Sequence, residues 1–91
     1  METPELTKSR KIVEMLNNRF LSITIDDLIN QPQVVEKLST DLENTYKAVS
    51  KLETKYFDDE KVADEFSNLV GDIVRMQNIL SSLERLVNKA P

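Results

Sequence analysis

From Val62 to Val87 an apolar residue recurs at alternating steps of four and three: Val62, Phe66, Leu69, Ile73, Met76, Leu80, Leu83 and Val87. No polar residue interrupts the series. This spacing keeps one stripe of a helix apolar through nearly four heptads, which is the a/d seam of a coiled coil. The scarcity of turn residues points the same way. One Gly and three Pro in 91 residues cannot supply the frequent Gly-rich turns of an all-β or α/β fold. The chain is therefore expected to be all-α.

Two further segments repeat the pattern. After the break at Asn30-Gln31-Pro32, the residues Val35, Leu38, Leu42, Thr45, Val49, Leu52 and Tyr56 again step by three and four. Only Thr45 among them is polar. At 1.5 Å per residue this helix is about 39 Å long. Upstream, Leu6, Ser9, Val13, Leu16, Phe20 and Ile23 form a third seam, with Ser9 as its polar member and Ile12 widening the face. Thr3 as N-cap, Pro4 at the first position and Glu5 in the first turn open that helix. Thr24 with Asp27 three residues on resembles a capping box for a single turn through Leu28 and Ile29. At Phe57-Asp58-Asp59-Glu60 the apolar phase slips and acidic residues appear together, which marks a hairpin; one long helix with a local discontinuity is the alternative, since no Gly or Pro enforces the turn. Lys89 then suits the negative end of the last helix. The spacing thus predicts one domain over 1–91. It contains a short N-terminal helix (about 4–22), a short turn (25–30) and a long antiparallel helical hairpin of two helices (32–57 and 59–89).

The last seam is wider than a two-helix coiled coil needs. Val70, Val74, Ile79 and Leu86 lie on its shoulders, the breadth of a helix in a bundle of three or more. Leaving a large side chain of this kind in water forgoes about 1.5–3 kcal/mol. The first helix, about 28 Å long against about 45 Å for the last, can cover only part of this face. Folded back antiparallel to the second helix from the Pro32 end, it leaves the hairpin tip open: Tyr56, Phe57, Val62 and Phe66. Slid along the hairpin instead, it closes a self-sufficient three-helix bundle, which is the alternative. The expected protein-binding face is this tip with the seam and shoulders beyond it. That face comprises Leu69, Val70, Ile73, Val74, Met76, Ile79, Leu80, Leu83, Leu86 and Val87.

The remaining composition narrows function by exclusion. With no His and no Cys, the chain lacks disulfides and the usual zinc, copper or haem ligands. It has no Gly-rich phosphate loop and no Asp-rich calcium loop. The carboxylate pairs Asp26/Asp27 and Asp58/Asp59 fall at predicted helix starts, where the dipole accounts for them; Asp64/Glu65 is the third such pair. No catalytic residue, cofactor or metal is expected. A net charge of −4 repels phosphate backbones and anionic lipid. The cations Lys8, Arg10, Lys11, Arg19 and Lys47, Lys51, Lys55 form small patches without interleaved aromatics, and they read as solvated helix faces. Met1-Glu2-Thr3-Pro4 has neither a basic region nor an apolar stretch, so no signal peptide is expected, and no apolar run reaches the roughly 18 residues of a membrane span. The expectation is an intracellular protein, cytoplasmic or nuclear. It would serve as a non-enzymatic scaffold or adaptor subunit that binds helices of other chains in a hetero-oligomer. A self-associating bundle, or a small chaperone shielding a partner's amphipathic helix, uses the same features.

Overall fold

A computed structural model describes residues 3–89; Met1, Glu2, Ala90, Pro91 and the Lys89 side chain lie outside the described residues. Four helices follow in order: α1 (Pro4–Leu21), α2 (Ile25–Asn30), α3 (Pro32–Lys55) and α4 (Glu60–Lys89). Among the described residues there is no strand, and the fold is all-α.

Each boundary has a local cause. The Thr3 hydroxyl accepts the Leu6 backbone N–H at 3.1 Å, with Pro4 in the first turn where its missing N–H costs nothing. Thr24 and Asp27 make a reciprocal capping box: the Thr24 N–H donates to the Asp27 carboxylate at 3.0 Å and the Asp27 N–H to the Thr24 hydroxyl at 3.1 Å. Pro32 starts α3 directly after Gln31, whose extended φ of −134° breaks the α2 helix. At the hairpin the Asp59 side chain accepts the Val62 N–H at 3.3 Å, and its carbonyl accepts that of Ala63 at 2.8 Å. Asp59 thereby caps α4 and confines the turn to residues 56–59.

The seams read from the sequence are the packed faces. In α1 the residues Leu6, Ser9, Val13 and Leu16 are buried, with Phe20 and Ile23 against them. In α3 the core is Val35, Leu38, Leu42 and Val49; in α4 it is Phe66, Ile73, Met76 and Leu80. These join into one continuous core. The body is a three-helix bundle of 51 × 19 × 15 Å.

Ion pairs show the register. Glu5 meets Lys55 at 3.1 Å and Arg19 meets Asp41 at 2.8 Å. The two contacts lie fourteen residues apart on each helix, so α1 runs antiparallel to α3 in matched register. Arg10 meets Glu65 at 2.9 Å, so α1 runs parallel to α4 along its acidic first half.

This register corrects the expectation that the hairpin tip stays uncovered. The connection through residues 22–31 folds into α2, which packs on α3 and α4 at the end opposite the hairpin turn, here termed the open end. With that end occupied, α1 is displaced along the hairpin until its N-terminus reaches the tip. Phe66 is accordingly 0% exposed. Tyr56 stacks on its ring at a centroid distance of 5.6 Å, and Tyr56 and Val62 are half-buried. Of the four tip residues only Phe57 faces water, 73% exposed.

Candidate protein-interaction surface

The residues read from sequence as a binding face divide into three groups. Phe66, Ile73, Met76 and Leu80 are core side chains that pack against α1 and α3. Tyr56, Val62, Leu69, Val70, Val74, Leu83 and Val87 are half-buried at its edges. Phe57, Ile79 and Leu86 are exposed. In the folded chain the seam is spent on the bundle itself, and only its margins are accessible.

Exposed aliphatic side chains concentrate at the open end. Leu21 and Ile25 are each 70% exposed, Leu86 68%, Ile29 59% and Ile79 42%. Helical spacing puts them on one side. Arg10, Glu14, Asn17 and Leu21 form one flank of α1, and the first three line its groove with α4. Asp72, Ile79 and Leu86 recur every seven residues on the α4 flank, where Asp72 lines that same groove. In α2, Leu28 packs on the core, whereas Asp27 and Gln31 line the opposite groove, between α1 and α3. Ile25 and Ile29 therefore stand on the far flank, toward α4. Helical phase thus turns these exposed side chains of α1, α2 and the second half of α4 toward one side of the open end.

Charge is depleted in the same region. Residues 20–34 and 76–89 carry Asp26, Asp27, Glu84, Arg85 and Lys89, five charges in 29 positions against 23 in the other 62. Depletion of charge with retention of large apolar side chains is the compositional mark of an interface core, and contiguous exposed apolar surface in a small protein marks contact sites. The sequence reading placed Ile79, Leu83 and Leu86 at this surface but omitted Leu21, Ile25 and Ile29. Their signal is this charge gap rather than a heptad, because α2 is too short to display a period.

The opposite groove, between α1 and α3, is different in character. Its floor and walls include Ile12, Met15, Leu16 and Thr45, and it continues past Arg19 to Val34 and Leu38. Met15 is 64% and Val34 42% exposed. The Arg19–Asp41 pair bridges the groove midway, and Lys37 joins it at 2.9 Å from Asp41. Hydrogen bonds from Lys37 first and Arg19 second hold the Asp41 carboxyl below the usual range. At the tip end the Tyr56 hydroxyl and the Lys55 ammonium both donate to Glu5. That arrangement lowers the pKa of Glu5, chiefly through Tyr56, and raises those of Tyr56 and Lys55, chiefly through Glu5.

Four of the six carboxylates weighed for chemistry have structural positions. Asp27 is part of the α2 capping box and Asp26 accepts from Asn30 at 2.6 Å. Asp59 caps α4, and Glu65 pairs with Arg10. Among the described residues, no three His, Cys, Asp or Glu side chains gather as a metal-holding group, and no helix is long and apolar enough to cross a membrane. No family model matches the chain, and neither curated proteins nor solved structures include a significant match.

Proposed function

We propose that this chain is a non-enzymatic scaffold or adaptor subunit of an intracellular hetero-oligomeric assembly, cytoplasmic or nuclear, that binds helices of partner chains. One observation carries the reading: Leu21, Ile25, Ile29, Ile79 and Leu86 stand exposed together at the charge-poor open end. A closed bundle gains nothing from this placement. Burying a fully exposed side chain of this type is worth about 1.5–3 kcal/mol, so this group holds a substantial unrealised gain. A partner helix laid across it realises that gain. The i, i+4, i+7 series of Ile79, Leu83 and Leu86 is the ridge that such a helix packs against.

Self-association is the second reading, and the low charge of the open end favours it, since two copies brought together there suffer little repulsion. The test is purification of the tagged chain from its source cell under native conditions, beside Leu86→Asp and Ile25→Asp variants. The expected result is a reproducible stoichiometric set of co-purifying chains that both variants lose while keeping wild-type helicity and melting. Sedimentation of the purified chain separates the second reading: a concentration-dependent dimer abolished by the same variants favours self-association. A monomer with no stoichiometric companions would refute both.

A further inference from the structure

We infer that the groove between α1 and α3 is a second docking site, built for an amphipathic helix of a partner chain whose apolar face is flanked by acidic residues. The inference rests on the reading of this chain as an interaction protein. It draws on a separate surface from the open-end side chains.

Register brings the groove together. On α1, Lys8 and Met15 share one heptad position, and Glu5, Ile12 and Arg19 the next. On α3, Val34, Asp41, Ala48 and Lys55 share one heptad position, and Lys37, Asn44 and Lys51 the next. The Glu5–Lys55 and Arg19–Asp41 contacts lay these flanks side by side. Four cations from two separate stretches of the sequence, Lys8 and Arg19 on α1 and Lys51 and Lys55 on α3, therefore lie on the two banks of one groove. Its rim carries Lys8, Arg19, Lys37, Lys51 and Lys55, all exposed. The carboxylates at the groove are Glu5 and Asp41, each already engaged by rim cations, and Asp27 of α2, which is taken up in its capping box. The rim is thus net positive on a chain whose net charge is −4. Between the banks lie Ile12, Met15 and Leu16, with Val34 farther along.

An apolar floor with a cationic rim selects its occupant by charge. A helix bearing Asp or Glu beside its apolar stripe places its carboxylates at the Lys8 and Lys51 level, whereas a basic helix is repelled there. Met15 is unbranched and adapts to irregular partner side chains. Lys is a flexible point charge rather than a rigid fork, which suits carboxylates at variable positions. A nucleic acid would use the cations but not the apolar floor, and the groove presents no aromatic stacking platform. That absence favours a protein helix.

The probe is a fluorescently labelled peptide of alternating Leu and Glu heptads, about 18 residues and five turns long, titrated with the full chain. A Leu/Lys peptide of the same pattern, a single-stranded oligonucleotide and anionic lipid vesicles serve as competitors of other classes. The expected result is saturable binding of the Leu/Glu peptide, at least tenfold tighter than the Leu/Lys peptide and weakened by salt. Met15→Asp and Lys51→Glu should each reduce it tenfold or more. Lys47→Glu lies off the rim beside Glu43 and should leave it within twofold, as should Leu86→Asp at the open end. Equal binding of the two peptides, indifference to Met15→Asp, or preference for the oligonucleotide or vesicles overturns the inference. Met15 and Lys51 are exposed, so unchanged far-UV circular dichroism and melting will show that a loss is not unfolding. Loss of co-purifying chains on Leu86→Asp, with peptide binding kept, would separate the open-end reading from this one.

Discussion

Gly71→Ala is a substitution whose size and sign follow from the structure and whose failure carries functional meaning. Gly71 lies inside α4, exposed on the side away from α1 and α3. Its φ is not positive, and a Cβ built there meets nothing within 4 Å. The glycine therefore contributes neither turn geometry nor close packing within the chain. Replacing it with Ala should recover the helix-propensity difference of about 0.8–1.0 kcal/mol. For a domain of this size that raises the melting temperature by about 3–8 °C and the urea midpoint by roughly 0.3–1 M, with an unchanged m-value. Thermal and urea melts followed by far-UV circular dichroism measure both. A neutral or destabilising result would refute the reasoning and place another backbone against Gly71 in the species measured. The measurement should be repeated on the co-purifying assembly. If Ala stabilises the isolated chain yet weakens the assembly, a partner helix approaches α4 closely at Gly71, and the open end is not the main contact.

Two further outcomes follow from the tip and its clasp. Phe66→Ala should cost about 3–5 kcal/mol, because a fully buried ring leaves a cavity beneath Tyr56, while Phe57→Ala should stay within about 0.5 kcal/mol of wild type. Equal effects in chemical denaturation would disprove the covered tip. The Glu5 clasp predicts a pH dependence. The Glu5 pKa is lowered from 4.5, by Tyr56 first and Lys55 second, so its contribution is present above that value and lost as pH falls through the folded one. Those of Tyr56 and Lys55 are raised from 10.0 and 10.5, so their contribution is present below those values and lost as pH rises through the folded ones. The melting-temperature gap between wild type and Glu5→Gln should therefore be widest near neutral pH and close at both extremes. Asp41, lowered through Lys37 and Arg19, should leave a residual acid limb in the Glu5→Gln variant. A gap that stays constant from acid to neutral pH would exclude the clasp.

The helices and their inner faces were legible because a helix reports its buried stripe through spacing alone. Every residue of the three seams, including the polar Ser9 and Thr45, is buried or half-buried. The hairpin turn was legible from the slip in apolar phase at Phe57-Asp58-Asp59-Glu60, and Asp59 caps the helix there. The axial position of α1 was not legible from length. A helix of known length can slide along a longer one at little change in apolar contact, since every heptad offers the same stripe. What sets the position is the room taken by the Ser22–Gln31 connection, and that depends on α2 packing rather than crossing as a loop. The complementary ends Glu5 with Lys55 and Arg19 with Asp41 held the register information. They are single charges among 28 in the chain, and no period marks them.

The placement of the surplus apolar surface is more informative than its amount. Helix ends of a small bundle are the cheapest sites for charge, because water reaches them and the helix dipoles reward ions of the right sign. The tip follows this rule, with Asp58, Asp59 and Glu60 at the start of α4. The open end follows it at Asp26, Asp27 and Lys89 but departs from it elsewhere. Leu21, Ile25, Ile29 and Leu86 occupy last turns and a short capping helix, where polar residues would have cost the core nothing. A bundle shaped for its own stability alone would have made both ends alike. On the proposed reading as a subunit, the charge-poor open end would face the assembly and the acidic tip would face outward. If the cationic groove also takes an acidic helix, the two contacts lie on opposite flanks of the α1–α2 arm. The chain then joins two partners without either touching the other's site, which is the geometry an adaptor requires.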